Sequence, residues 1–421
     1  MVRVRGASSR RVNSGSMPAT PPDPAATTGT WGVLAITTAI QALVAMALLT
    51  VPAMAPAFAE TLALQPSLVG VYIALAYLGA MFASMSAGAF VLRYGALRTS
   101  QVALVLCAIG LALPAMVPLA WVAALSAFVL GLGYGPVTPA SSHLLVRSTP
   151  PDRASLVFSI KQTGVPLGGV LAGAIVPPLV VVAGPRTALL VVAVASLACA
   201  AVAHPWRATL DADRDPARTL RMGNVLQGVR LVATHASLKR MAAVSFGFSI
   251  VQLCLSTYVV VYLTTTLGYS LVAAGGMLSA TNVGGVVGRV LWGLVTDRWL
   301  PPMRMLGLLA VAMGVCTLGL AALHSGSPGI LVAVLLVAFG ASAIGWNGVY
   351  LAEVARRAPT GLAGAATGGT LAFTFFGVVI GPVLFGVIAQ AFGSMRAGWI
   401  ALLVPAALCT WALLRTQPAP K

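Results

Sequence analysis

The chain has 421 residues, of which 59% are hydrophobic and only 8% are charged. An average soluble domain has about 25% charged residues, so this composition excludes an ordinary soluble protein and indicates one that crosses a membrane several times. The formal net charge of +17 would suggest nucleic acid for a soluble chain, but nearly all of the charges lie in short loops between apolar segments. We therefore expect the lipid bilayer, and no nucleic acid, as the environment of this protein.

Apolar runs of about 20 residues predict twelve membrane-spanning helices, and the expected fold class is an all-α membrane protein. The predicted spans, numbered 1 to 12, are residues 31–57, 68–91, 99–118, 121–146, 154–182, 187–206, 237–266, 271–296, 303–323, 328–352, 362–391 and 396–415.

Basic residues are distributed unevenly over the two sides of this arrangement. With the N-terminus placed in the cytoplasm, 21 of the 25 Lys and Arg residues lie on the cytoplasmic side, two lie outside and two lie within spans. Cytoplasmic loops of membrane proteins carry an excess of Lys and Arg. We therefore expect a multi-pass protein of the cell inner membrane with both termini in the cytoplasm.

The hydrophilic segments suggest how the chain is divided. Residues 1–30 are basic and then rich in Ser, Pro and Thr, which predicts a disordered tail; a cleaved signal peptide would have its apolar core directly after the arginines. Residues 207–236 form a predicted cytoplasmic linker between six-helix bundles at 31–206 and 237–416, and 417–421 form a second tail. The sequence VLQGVRLVATHASLKR fits either a helix on the inner membrane surface or a solvated connection.

No sequence pattern indicates an enzyme. The chain lacks the GxxxxGK[ST] phosphate-binding loop, which excludes an ATP-driven pump within it, and its four histidines are scattered. The five cysteines fall within predicted spans without the spacing of metal ligands, so we interpret them as packing residues. We expect no enzymatic activity, no metal site and no cofactor.

The two halves of the chain repeat one another at a spacing of 205 to 211 residues. The sequence GAFVLR at 88–93 corresponds to GLVTDR at 293–298, and Gln41 in span 1 corresponds to Gln252 in span 7. Such offsets indicate duplication of a six-helix unit.

With these features the chain resembles the major facilitator superfamily over essentially residues 31–416. The resemblance rests on the loop motif with Gly293, Asp297 and Arg298, its weaker partner with Arg93, and the sequence GVPLGG in span 5, together with the spans, the linker and the repeat. It implies a secondary transporter with two pseudo-symmetric six-helix bundles around a central cavity that opens alternately to each side. We expect a monomer.

The resemblance also implies that the loop motif closes the inner side. In this pattern the Asp braces the inner gate, since a carboxylate is favoured near a helix N-terminus. Asp297 can do this in the second half, with Gly293 and Arg298 beside it. In the first half Leu92 stands where the acid belongs, next to Arg93. We therefore expect the inner gates of the two halves to differ in strength.

Spans 1, 4, 7 and 10 line the cavity in this family, which makes their polar side chains candidate substrate contacts. The candidates are Gln41 in span 1, Tyr134 in span 4, Gln252 in span 7, and Asn347 and Tyr350 in span 10. The alternative is that such side chains hydrogen-bond within or between helices.

Two basic residues, Lys161 in span 5 and Arg289 in span 8, lie inside predicted spans. A charge at such a position costs at least about 2.5–3.5 kcal/mol on insertion scales, so it needs a compensating role. Both lie roughly 10–12 Å from the inner helix end, at 1.5 Å per residue. Arg289, which shares a helical face with Asn282, keeps its charge there, whereas Lys161 could extend its ammonium to the inner surface.

No acidic residue lies at the depth of these two cations, since Glu353 and Asp297 are at inner helix ends. Two interpretations remain open. Glu353 could pair with one cation when the inner side is closed, which would make the pair a gate. Otherwise the substrate supplies the missing charge and is a small organic anion, held by Arg289 with Lys161 assisting. Several anion carriers of the superfamily are similar in using buried basic residues.

Other functions are also open. Drug efflux carriers of this family resemble one another in having intramembrane carboxylates in the first half, which this chain lacks, and a non-transporting receptor would usually carry an output domain. Efflux of drug-like or neutral solutes and a receptor are therefore the alternatives to anion transport. Protons are a candidate coupling ion, through Glu353, Asp297, His143 or the substrate itself, and facilitated exchange or uniport is equally open.

Overall fold

The structure is a computed structural model that describes residues 29–150, 153–218, 220, 225–359 and 362–414. The predicted tails therefore lie almost wholly outside the described residues. Nearly all of the described residues are in helices, as the apolar composition predicts. Those of the first half are α1 (Thr30–Ala53), α2 (Ala55–Thr61), α3 (Val69–Tyr94), α4 (Ala96–Met116), α5 (Ala120–Tyr134), α6 (Val137–Ser148), α7 (Ala154–Gln162), α8 (Gly164–Val202) and α9 (Arg207–Leu210). Those of the second half are α10 (Val225–Thr234), α11 (Ala236–Thr265), α12 (Leu271–Arg298), α13 (Pro302–Ala322), α14 (Gly329–Ala343), α15 (Asn347–Arg357), α16 (Ala363–Ala391), α17 (Met395–Ala401) and α18 (Leu403–Leu414).

Among the described residues, eleven stretches are long and apolar enough to cross a membrane. One of them, Leu156–Leu210, is 55 residues long and contains nearly all of span 5 and the whole of span 6. It is broken at Gly184, where φ is 82° and Pro185 follows. A positive φ suits glycine because it has no Cβ atom, so the chain can turn here between the two predicted spans. The all-α membrane fold is confirmed.

Several spans are built from two helices rather than one. Span 4 consists of α5 and α6, which are separated at Gly135 and Pro136, and span 10 consists of α14 and α15, which are separated at residues 344–346. Span 5 is broken at Thr163, between α7 and α8. Hydropathy predicts the length of a crossing but not such a break, because it averages over a window of residues and carries no information on the local backbone conformation.

Glycine packing repeats in the two halves. A Cβ atom on Gly131 of α5 would overlap the carbonyl oxygen of Ala76 in α3, and one on Gly340 of α14 would overlap that of Thr281 in α12. Gly340 follows Gly131 by 209 residues, within the spacing of the sequence repeat. The two bundles are therefore related in backbone packing as well as in sequence.

The two halves meet along two principal pairs of helices, α8 with α12 and α3 with α16, and α1 also contacts α11. Across the first pair, Ser279 donates to the carbonyl oxygen of Val170 at 2.8 Å. The linker segment at 225–234 is the helix α10, and its Gly228 packs closely on Gly369 of α16. The segment is thus helical and packs on the second half, while a position on the inner membrane surface stays a prediction.

Candidate substrate-binding site

Arg289 of α12 joins three parts of the molecule. Its Nε donates to the carbonyl oxygen of Ile344 at 3.2 Å, and its Nη1 donates to the carbonyl oxygen of Gln162. Both carbonyls lie at helix breaks. Gln162 ends α7, and the residue four positions on is Pro166, which has no N–H to donate to it. The breaks in spans 5 and 10 thus provide free acceptors, and Arg289 uses them.

Lys161 lies next to Arg289, but its charged group is not bound by carbonyl oxygens of the described residues as that of Arg289 is. Its side chain is 1% exposed and lies close enough to Arg289 for the two charges to repel. Within the part of the chain that the structure describes, its ammonium has no hydrogen bond and no ion pair. The lysine is therefore not extended to the inner surface, which was one of the interpretations of its sequence position.

Two more candidates lie in the same region, which we call the N-side cluster: Lys161, Arg289, Tyr134 and Gln41. Tyr134, the last residue of α5, interacts electrostatically with Arg289, and its ring packs edge-on against Tyr77 at 5.7 Å between ring centroids. Gln41 of α1 is 1% exposed and packs against Gly164, three residues beyond Lys161.

The orientation of the Gln41 amide bears on ligand chemistry. Thr138 Oγ1 donates to Gln41 Oε1 at 3.1 Å, whereas Gln41 Nε2 is buried and has no partner among the described residues. Thr138 itself is exposed, in the middle of span 4. The unsatisfied end of Gln41 is therefore a donor, like the ammonium of Lys161.

The candidates in the second half form a separate group. Gln252 Oε1 accepts from Trp346 Nε1 at 2.9 Å and from Asn347 Nδ2 at 3.4 Å. The Trp346 ring packs edge-on against Phe248, at 5.3 Å between centroids. This amide and aromatic group lies on α11 and at the α14–α15 break, the counterparts of the elements that hold Gln41 and Tyr134.

Two predicted contacts are engaged in helix packing instead. Asn282 Nδ2 donates to the carbonyl oxygen of Leu278 on its own helix at 2.9 Å, and its side chain fills the space beside Gly169 in α8. The Tyr350 hydroxyl donates to the carbonyl oxygen of Met241 at 3.1 Å and is 1% exposed. The structure does not bring either residue to the N-side cluster.

Among the predicted gating residues, Glu353 forms ion pairs, whereas Asp297 and Arg298 form none with the described residues. Glu353 is fully buried; it accepts from Arg356 Nε and Nη2, both at 2.8 Å, and from Arg357 Nε at 2.5 Å. Asp297 and Arg298 are exposed and form no ion pair with the described residues. Glu353 is thus occupied by its own helix in this conformation, and a brace by Asp297 stays a prediction.

Contacts near the outer helix ends were missed by sequence reasoning. The Tyr258 hydroxyl of α11 lies 2.9 Å from the carbonyl oxygen of Ser67 and 2.7 Å from that of Pro382, and Gln390 Nε2 donates to Ser67 Oγ at 2.7 Å. The contacts of Ser67 with Tyr258 and Gln390 join the two halves on the side that the sequence predicts to face outward. A Tyr within an apolar span gives no signal of such a partner.

The chain is similar in sequence to a known protein family and to several individual proteins. The family model described as Major Facilitator Superfamily matches residues 34–370. The gentisate transporter of Corynebacterium glutamicum is 26% identical over 293 residues, which are 65% of this chain and 62% of that protein. The probable nitrate/nitrite transporter NarK2 of Mycobacterium tuberculosis is 30% identical over 38% of this chain and 41% of its own. The benzoate transport protein of Acinetobacter baylyi is 28% identical over 34% and 29%.

A solved structure supports the fold independently of sequence. The bacterial homologue of the human lysosomal transporter Spinster, in an inward-facing and occupied conformation, superposes with a TM-score of 0.72. The match covers 92% of this chain and 96% of that one at 13% identity, which is evidence for the fold alone. The relatives and this structural neighbour are transporters rather than enzymes. With a family model covering most of its length, the chain belongs to the major facilitator superfamily.

Proposed function

We propose that this protein is a secondary active or facilitative transporter that moves a small organic anion, with a carboxylate, across the cell inner membrane by alternating access. The observation that carries the proposal is Lys161, a buried ammonium with no partner among the described residues. Leaving such a charge unpaired costs several kcal/mol, on the order of the effective penalty for a buried ion. A bound anion would remove that cost.

The polar groups of the N-side cluster that have no partner among the described residues, Lys161 Nζ and Gln41 Nε2, are donors, which favours an anion over a neutral solute or a cation. An ammonium has three donors and a guanidinium has five N–H groups. Arg289 uses its Nε and Nη1 on carbonyl oxygens, so only part of its fork is left for a ligand. Gln41 adds the free Nε2 donor. We therefore assign the main ion pair to Lys161, with Arg289 as the second charge, which reverses the order expected from the sequence.

An aromatic carboxylate fits the surroundings of these donors. Tyr134 and Tyr77 present aromatic rings beside the cationic pair. Rings of this kind pack well against another aromatic ring. The names of two relatives, a gentisate transporter and a benzoate transport protein, agree with this chemistry, while a third is named for nitrate and nitrite.

The alternative role of the two cations, as a gate with Glu353, has less support. The Glu353 carboxylate already accepts three hydrogen bonds from Arg356 and Arg357. Exchanging them for Arg289 or Lys161 would leave two arginines without their partner.

A thermal-shift screen of the purified protein tests the proposal. A ligand that binds only the folded state at 100 times its Kd adds about 2.7 kcal/mol of apparent stability. Benzoate and gentisate should raise the unfolding temperature, whereas benzamide, which has the same ring without the charge, should not. Lys161→Gln should abolish the shift. Lys239→Gln, at an exposed lysine, is the matched control and should retain it.

The other outcomes decide between the alternatives. Stabilisation by benzamide or by a cationic dye such as ethidium, but by no anion, would favour efflux of neutral or drug-like solutes and refute the anion assignment. Where benzoate binds, its uptake into proteoliposomes with and without an imposed pH gradient tests protons as the coupling ion. Binding without any uptake would favour a receptor.

A further inference from the structure

The linker carries three of the eight acidic residues of the chain, Asp211, Asp213 and Asp215, within five positions. The sequence predicts a connection between the two bundles at this segment. In the structure, linker residues 207–218 lie against the inner ends of α3, α4 and α6, all in the first half. Their contacts are specific and involve both side chains and backbone.

Asp211 caps the N-terminus of α4. Its Oδ1 accepts from the backbone N–H of Leu97 at 2.7 Å and its Oδ2 from that of Arg98 at 2.9 Å, and the residue is 4% exposed. The first N–H groups of a helix have no partner within the helix, and a carboxylate there is favoured by both hydrogen bonding and the helix dipole. Asp211 therefore caps the N-terminus of α4, a role that usually belongs to the residue directly before a helix.

The loop before α4 is shaped to receive this carboxylate. Gly95, between α3 and α4, has a φ of 103°, and a Cβ atom on it would overlap the Asp211 side chain. Glycine therefore satisfies two requirements at this position, the backbone conformation and the space for the cap.

Further contacts fix the rest of the segment. Asp213 lies 2.6 Å from His143 and 2.5 Å from Arg147, both on α6. The Asp215 backbone N–H donates to the carbonyl oxygen of Leu92 at 2.9 Å, and Arg93 Nη1 donates to that of Arg218 at 3.1 Å. Partly exposed ion pairs such as that of Asp213 contribute little, so the buried cap by Asp211 carries most of the docking.

The second half shows the opposite arrangement. It retains the motif acid, Asp297, near the end of α12, yet the Asp297 side chain is exposed and makes no hydrogen bond or ion pair with the described residues. The helix that follows, α13, begins with Pro302 and has no side-chain cap. Proline at a helix start removes one of the N–H groups that would need a partner. The half without a loop acid thus receives a carboxylate from the linker, and the half with one does not use it as a cap.

We propose that Asp211 is a positioning residue of the inner gate: it supplies from the linker the carboxylate that position 92 lacks, and ties linker residues 207–218 to α3, α4 and α6 as one unit. Residues 207–218 of the linker are then a structural part of the first half rather than a passive connection. This inference does not depend on the identity of the substrate.

Hydrogen exchange of the purified full chain, read by mass spectrometry, tests the cap directly. In Asp211→Asn the amide end of the new side chain cannot accept, so exchange at Leu97 and Arg98 should rise at least tenfold. Asp215→Asn is the matched control, because Asp215 contacts Leu92 through its backbone, and it should leave those amides protected. Equal exchange at Leu97 and Arg98 in Asp211→Asn and the parent would overturn the proposal.

Access to the cavity from the inner side shows whether Asp211 affects the gate or only caps α4. Thr138→Cys, an exposed position in span 4, reports inner access by its rate of labelling with a hydrophilic maleimide in inside-out vesicles. Adding Asp211→Asn should change that rate severalfold, and adding Asp215→Asn should not. An unchanged rate would reduce Asp211 to a structural cap and refute the gating role.

If Asp211→Asn does not fold, a cross-link keeps the proposal testable. The hydrogen bond between the backbones of Leu92 and Asp215 brings their Cα atoms within the range of a disulfide. Leu92→Cys with Asp215→Cys should oxidise rapidly in native membranes, whereas either single variant should not gain an internal cross-link. Failure of the pair to cross-link would show that the segment is not docked and would contradict the proposal.

Discussion

Lys161 and Arg289 carry the same charge in the same region, but their surroundings give them different roles. Arg289 is held by carbonyl oxygens on two other elements, whereas Lys161 has no partner among the described residues. A planar guanidinium can bridge two acceptors, and an ammonium acts as a point charge. Arg289 therefore contributes to structure as well as to charge, and Lys161 is available for a ligand.

Substitutions at the two positions should change stability in opposite directions. Lys161→Met removes an unpaired buried charge, so the ligand-free protein should gain about 1 kcal/mol or more, since apolar replacement of buried charges is often stabilising. Arg289→Lys should lose about 1–3 kcal/mol, because at least one buried carbonyl is left without a donor. Unfolding temperatures of the purified variants measure both effects. A loss of stability in Lys161→Met would mean that the ammonium has a structural partner.

Removing the arginines from the Glu353 ion pairs should lower the unfolding temperature more than removing Glu353 itself. Glu353 is fully buried, while the side chains of Arg356 and Arg357 are 59% and 19% exposed. Arg356→Gln with Arg357→Gln would leave a buried carboxylate unpaired and should cost about 3–5 kcal/mol. Glu353→Gln removes that charge and leaves arginines that reach water, so it should cost about 1 kcal/mol. The reverse ranking would indicate that Glu353 is stabilised by some other group.

At the scale of helices, close packing at equivalent glycines should make both halves sensitive to one methyl group. Gly131→Ala and Gly340→Ala each force a Cβ atom onto a neighbouring backbone, so each should lower stability by about 1–3 kcal/mol or more. Gly88→Ala and Gly293→Ala are matched controls, because a Cβ atom there meets nothing within 4 Å. They should leave stability unchanged or raise it slightly through helix propensity. Equal effects in all four variants would contradict the packing argument.

Helix ends on opposite sides should control the conformational equilibrium in opposite directions. Tyr258→Phe removes a hydrogen bond between the halves on the predicted outer side, worth about 1 kcal/mol or a roughly fivefold change in population. It should shift the protein towards outward-open. Asp297→Asn should shift it towards inward-open, if the loop acid braces the closed inner gate.

Labelling of Thr138→Cys from the inner side measures both shifts. The rate should fall in Tyr258→Phe and rise in Asp297→Asn. Arg298→Gln, at the exposed neighbour, controls for the loss of a surface charge. A rate that is unchanged in Asp297→Asn would remove that residue from the gate, and a rise in Tyr258→Phe would show that its bond to Ser67 does not hold the outer side closed.

The helices themselves were largely predictable, and the breaks within them were not. Span 11 was predicted at 362–391 and is the helix Ala363–Ala391, because an apolar run of that length has one stable form in a bilayer. The separations at Thr163 and at residues 344–346 depend on local backbone geometry and on a neighbour that binds the freed carbonyl. That neighbour is Arg289, more than 120 residues from Gln162.

At the scale of the whole molecule, the distribution of basic residues predicts the orientation. Both termini should lie in the cytoplasm, since 21 of the 25 Lys and Arg residues fall on that side. Green fluorescent protein fused to either terminus should fluoresce, and alkaline phosphatase fused there should be inactive. Alkaline phosphatase inserted at residues 324–327, a predicted outer loop, should be active. Phosphatase activity at a terminus would contradict the orientation.

The sequence by itself determined the class of protein, its repeat and the candidate residues, because apolar length, charge bias and duplication are properties of single segments. It pointed to Lys161 and Arg289, since a charge in an apolar span is visible without any partner. Only the tertiary structure decided which residues act together: Arg289 with the carbonyls of Gln162 and Ile344, Tyr258 with Ser67, and Asp211 with the start of α4. Hydrogen bonds between distant segments depend on distance and orientation, and these exist only after the helices have packed.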